Sequence, residues 1–151
     1  MGKIDSLLER IQGQRVYIDT NIFIYFLARH EFYFDASARI LLACDKRDAI
    51  GMTGNVTLAE ILVKPYREGD GDAVATIKQF FARENFIKLL PHSLETFALA
   101  AELRASRGGK LIDALHYATA IRAGCRLFLS NDHGFTSSEQ LEALKLSDFL
   151  E

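Results

Sequence analysis

The sequence predicts an α/β fold: a central parallel sheet of four to five strands with helices on both faces. Two observations carry this. Short apolar runs of strand length alternate with amphipathic helical stretches along the whole chain, the order that parallel strands joined by helical crossovers produce. The chain has 151 residues, 49% hydrophobic and 25% charged, enough apolar content for one sizeable core and a single domain over residues 1–151.

The elements follow in order. Ile4, Leu7, Leu8 and Ile11 recur at helical spacing, and the helix they form ends near Gly13. Arg15 to Ile18 reads as a short buried strand. Asp19-Thr20-Asn21 is a natural helix entry, and residues Ile22 to Leu27 are apolar on nearly every face, which predicts a buried helix. Ala36 to Lys46 is the next helix, Ala49 to Thr53 a strand, and Val56 to Val63 a short helix. Pro65 and Gly69-Asp70-Gly71 punctuate the chain before a helix marked by Val74, Ile77, Phe80 and Phe81. Phe86 to Leu90 is a third strand stopped by Pro91, and Leu94, Phe97, Ala98 and Ala101 form another helical stripe. After the Arg107-Gly108-Gly109-Lys110 loop, Ile112 to Ala123 is a helix with Gly124 as its cap. Arg126 to Ser130 is a fourth strand, and Leu146 to Phe149 is the candidate for a fifth.

The formal net charge of −2 supplies no overall positive field for nucleic acid, though an enzyme could hold a short stretch of backbone through metal and local cations. Cys44 and Cys125 lack metal-site spacing and read as buried thiols in a reducing compartment, the cytoplasm. No apolar run is long enough to span a membrane, and no signal peptide is seen. Residues Met1 to Ser6 fit the bare myristoylation pattern, which is too short to carry weight.

Four carboxylates stand out. Asp19 follows the first strand, Asp132 lies just past the fourth, and Glu60 and Asp113 lie near helix starts. A parallel sheet gathers such positions at the carboxyl ends of its strands. Each acid also has a local explanation. Asp19 could cap a helix. Asp132 could form an Asx turn in Ser130-Asn131-Asp132-His133-Gly134. Glu60 could close a capping box with Thr57, and Asp113 suits a first helical turn. Four acids at such positions are more than capping requires. Like charges in one cleft repel, by roughly 4 kcal/mol for a pair 4 Å apart at an effective dielectric near 20. A divalent ion held by oxygen ligands, magnesium or manganese, relieves that repulsion.

The blocks around these acids are Val16-Tyr17-Ile18-Asp19-Thr20-Asn21, Thr57-Leu58-Ala59-Glu60-Ile61-Leu62, Asp113-Ala114-Leu115-His116-Tyr117-Ala118-Thr119-Ala120 and Ser130-Asn131-Asp132-His133-Gly134-Phe135. In order and separation they resemble the PIN-domain family, and most of all its small VapC-type toxins. The resemblance implies a three-layer α/β/α fold and a metal-dependent endoribonuclease leaving a 5′-phosphate and a 3′-hydroxyl. It assigns Asp19, Glu60, Asp113 and Asp132 to a catalytic Mg2+ or Mn2+ site, with Asn21 and Ser130 as polar neighbours orienting a ligand or water. Ser130 stands where the family often carries Thr. The resemblance further implies an RNA substrate, a cognate antitoxin and a homodimer, with no membrane partner. Alternatives are a nuclease of the same fold acting in RNA processing or on structured DNA, and a non-catalytic binding module.

Further residues are candidates for substrate contact. Lys64 and Arg67 follow the Glu60 helix, and Arg29 and Lys110 are similar; each could meet phosphates or be a solvated surface cation. His116, one turn after Asp113 on the same helix face, could be a ligand or proton carrier. Phe32-Tyr33-Phe34 reads as core, or else as a partner surface.

Overall fold

The computed structural model describes residues 2–150; Met1, at the head of the myristoylation pattern, lies outside them. Five strands form one sheet, β1 (Arg15–Ile18), β2 (Ile50–Gly54), β3 (Lys88–Leu90), β4 (Leu127–Ser130) and β5 (Glu142–Lys145), in the order β3-β2-β1-β4-β5. Every pairing is parallel. β1 is central, with Val16, Tyr17 and Ile18 fully buried. Its side chains alternate between two cores, as strand geometry requires.

Val16 and Ile18, with Leu127, Leu129 and Leu144, face a large cluster built on α1 (Lys3–Ile11), α2 (Thr20–Leu27), α3 (Phe34–Asp45), α4 (Asn55–Arg67) and α5 (Gly71–Ala82). Tyr17, Met52, Leu90 and Phe128 face the other way, against Tyr117 and Ala120 of α7 (Leu111–Arg122). Behind α7 lies α6 (Leu94–Arg107), packed through Ala100 against Ala114 and Ala118. The architecture is therefore the expected three-layer α/β/α sandwich. Gly124, at φ +73°, ends α7 in the left-handed conformation that glycine adopts without a steric penalty.

The structure corrects several local expectations. The fifth strand is Glu142–Lys145, and Leu146–Phe149 is a 3-10 turn. In β5 only Leu144 is fully buried, so its pattern is too polar to read as a strand without its neighbour. Pro65 does not stop the preceding helix, which runs on to Arg67. Pro65 forfeits the one hydrogen bond its own N–H would have donated, and α4 ends two residues later. α4 also starts earlier than expected, capped at Gly54, which makes Glu60 its sixth residue and excludes the capping box. Ile24 on α2 is 41% exposed, so that helix is buried on one face only. On α6 the stripe of Leu94, Phe97, Ala98 and Ala101 points outward; Thr96 and Ala100 are the buried positions, and Leu94 is 83% exposed. Of the aromatic run, Phe34 stacks on Phe26 and Tyr33 on Tyr25, while Phe32 is 65% exposed.

Candidate active site

The strand order reverses direction at β1, with β2 on one side and β4 on the other. A crevice opens at such a switch point, beyond the carboxyl ends of the strands. Asp19 follows β1 directly and Ser130 ends β4 beside it. α4 leaves the end of β2 and carries Glu60, and α7 brings Asp113 in its first turn.

Asp19 is buried and held by three donors. Its Oδ1 accepts from the Thr20 amide at 2.9 Å, which caps α2. Its Oδ2 accepts from the Ser130 hydroxyl at 2.7 Å and the Asn21 amide at 3.4 Å. Asn21 also donates to Ser130 Oγ at 3.2 Å, while the Asp132 amide donates to the same oxygen at 3.0 Å. Ser130 and Asn21 thus both bond the Asp19 carboxylate. Burial pushes the Asp19 carboxyl above its ordinary value despite these bonds and the nearby His116.

Asp113 and Asp132 complete an acidic face. Burial raises the Asp113 carboxyl, and the negative charges of Asp132 and Asp19 raise it further. Asp132 is exposed at the mouth and makes the expected Asx turn, its Oδ1 accepting from the Gly134 amide at 2.8 Å. Turn formation by Asp132 therefore coexists with exposure of its charge, whereas Asp19 caps α2 from a buried position.

Glu60 is tied differently. Its Oε1 accepts from the Thr20 hydroxyl at 2.7 Å and from His116 Nε2 at 2.6 Å. Burial alone would raise its carboxyl, but those two bonds outweigh burial and hold it below its ordinary range. His116 is 1% exposed and out of reach of a polymer, which corrects its placement as a substrate-binding residue. Its Nδ1 accepts from the Tyr17 hydroxyl at 2.7 Å, and Tyr17 accepts from the Gly54 amide at 2.9 Å. This donor chain selects the Nε2–H tautomer and fixes the direction of Glu60. Gly54 has no room for a side chain: a Cβ there would lie 2.5 Å from His92 Cε1 and 3.0 Å from the Tyr17 oxygen.

Thr20 and Tyr17 were not singled out in sequence, although both lie in the block around Asp19. Their polar atoms count only because α4 and α7 pack against β1. Lys64 and Arg67 are exposed in the last turn of α4, roughly 6 and 10 Å further along the helix axis than Glu60.

Among the described residues, no three His, Cys, Asp or Glu side chains are arranged to hold a metal ion by themselves. The acids couple through charge and offer only oxygen donors. Such a set fits a hard divalent cation that keeps several waters and takes few protein ligands. It does not fit a closed zinc cage, which needs four close ligands.

A comparison with curated proteins gives no match. Solved structures do match the fold. VapBC2 from Rickettsia felis, bound to a DNA fragment from its promoter, aligns with TM-score 0.68 at 18% identity, over 87% of this chain and 98% of that one. VapC20 from Mycobacterium tuberculosis, a toxin that cleaves the sarcin-ricin loop, aligns with TM-score 0.62 at 15% identity, over 75% and 86%. A toxin–antitoxin complex from Klebsiella pneumoniae aligns with TM-score 0.62 at 17% identity, over 83% and 94%. Residues 16–139 match the PIN domain, a stretch that contains all four acids and the whole of the crevice. The chain belongs to the PIN domain family.

Proposed function

We propose that this protein is a magnesium- or manganese-dependent ribonuclease and the toxin of a toxin–antitoxin pair. The observation that carries the reading is the acidic face beyond β1 and β4, where burial and then the charges of Asp132 and Asp19 push the Asp113 carboxyl upward. Membership in the PIN domain family supports nuclease chemistry, and the likeness to VapBC complexes supports an antitoxin partner.

In this reading Asp19, Asp113 and Asp132 hold the cation, with Glu60 at its edge. When bound, the ion would lower the pKa of a water and stabilise the leaving oxygen. The residues set up the rest. Ser130 and Asn21 lock the Asp19 carboxylate. Thr20 and His116 occupy Glu60 Oε1, which leaves Oε2 to orient a water or take its proton. The fold supplies position and charge and needs no covalent intermediate. The protein would act in the cytoplasm as a homodimer, restrained by its antitoxin.

Purified protein should cut single-stranded RNA with magnesium or manganese and stop with EDTA. Asp19→Asn and Asp113→Asn should each lower kcat at least a hundredfold. If both variants cut like the parent, the assignment is wrong. Parallel digestion of flap DNA and single-stranded DNA separates the toxin reading from a structure-specific nuclease.

A further inference from the structure

A groove of about 440 Å³ opens beside Asp113, between the Gly108-Gly109-Lys110 turn and the Gly134–Thr136 segment. Its volume falls within the range of sites that hold small ligands. Arg107 and Lys110 line it together with Tyr117 and Phe135. The Arg107 guanidinium carbon stands 5.0 Å over the Tyr117 ring. Among the described residues neither Arg107 nor Lys110 has an acidic partner within ion-pair distance. The floor is packed: the Phe135 ring centroid lies 4.4 Å from that of Phe128, and the Phe135 ring is parallel to Tyr117.

The turn itself keeps the entrance clear. Gly108 and Gly109 both have positive φ, +79° and +81°, and a Cβ on either would meet no atom within 4 Å. Bare backbone with open space on its outer side lets another chain approach closely. The electrostatics call for cations at this spot. The protein has a net charge of −2, and three carboxylates crowd the crevice next door, so a polyanion needs local positive charge to dock.

We propose that this groove seats the nucleotide adjoining the cleaved phosphodiester of a single-stranded RNA. Arg107 and Lys110 bind its flanking phosphates and the Phe135 side supports its base. The proposal rests on the ribonuclease reading above, but its test does not require cleavage. The probe is a fluorescein-labelled 12-nucleotide single-stranded RNA, followed by anisotropy in EDTA across a salt series. Arg107→Gln with Lys110→Gln keeps both side-chain stems. Lys46→Gln with Arg47→Gln removes equal charge beyond the opposite edge of the sheet, at the end of α3.

The groove pair should weaken RNA binding at least tenfold and flatten the log Kd against log salt slope by about 1.4, since each lost phosphate contact on a single strand is worth about 0.7. The control pair should change Kd less than twofold. Equal effects from both pairs, or a groove effect below twofold, overturn the proposal. Failure of the parent to cut RNA with any divalent metal would overturn the ribonuclease reading instead, and the binding result would still decide the groove.

Discussion

Asp113→Asn should make the metal-free protein more stable and deaf to metal. Asp113 is partly buried and faces the charges of Asp132 and Asp19. Two unit charges 8 Å apart at an effective dielectric near 20 repel by roughly 2 kcal/mol. Partial exposure and salt cut this to about 1 kcal/mol. For a chain of this length that shift raises Tm by roughly 2–4 °C. The sign depends on pH. The Asp113 carboxyl is raised from its ordinary 3.8, so the folded parent holds a proton that the unfolded chain has lost. Parent stability therefore falls as pH rises from about 3.8 through the raised value. The advantage of Asn should be full at pH 7.5 and vanish near pH 3.5. Manganese has the opposite effect. At a hundredfold excess over Kd, binding stabilises the parent by about 2.7 kcal/mol, or roughly 5–10 °C, and Asp113→Asn should lose most of this. Scanning calorimetry of both proteins, with EDTA and with 5 mM manganese, reads each quantity. A variant that melts below the parent in EDTA, or that keeps the full manganese shift, refutes the reasoning.

Other outcomes follow from the same geometry. His116→Ala should cost about 3–5 kcal/mol in urea denaturation, because it leaves a buried cavity and strips Tyr17 and Glu60 of a partner; His116→Gln should recover part of that. Gly54→Ala should destabilise by about 1–3 kcal/mol, since the added methyl collides with His92 and Tyr17. Burial pushes the Cys44 thiol up to about 12 and Cys125 up to about 11, so a thiol reagent at pH 8 should label neither until the protein unfolds. Burial lowers His92 from its ordinary 6.5. Stability should therefore fall as pH drops below about 6.5 through the lowered value, and His92→Gln should flatten that slope in chemical denaturation.

Much of the fold was legible in the residues, for reasons that differ between elements. β1 and β4 are continuous apolar runs bounded by turn residues, a pattern that needs no tertiary context. The 3.6-residue stripes of α1 and α5 named the faces that are in fact buried. The α6 stripe named the wrong face, because α6 packs on α7 through the small residue Ala100 and leaves Leu94 and Phe97 in solvent. Side-chain size can override hydropathy where two helices approach closely. β5 was missed because an edge strand buries little and carries little periodic signal.

At the candidate site, the sequence alone determined where the acids fall along the chain: Asp19 after a strand, Asp113 in a first helical turn, Asp132 in an Asx turn. Those are local features, set by backbone geometry within a few residues. Tertiary structure decided how the acids differ. Asp113 is driven upward by burial and then by the charges of Asp132 and Asp19, whereas Glu60 is held down by His116 and Thr20. It also turned His116 from a candidate ligand or proton carrier into a buried support, and set Arg107 and Lys110 beside Asp113 while Lys64 and Arg67 run on along α4. Charge and hydrogen bonding act through space over a few ångströms, and only the packing of α4 and α7 against β1 brings residues a hundred positions apart within that range.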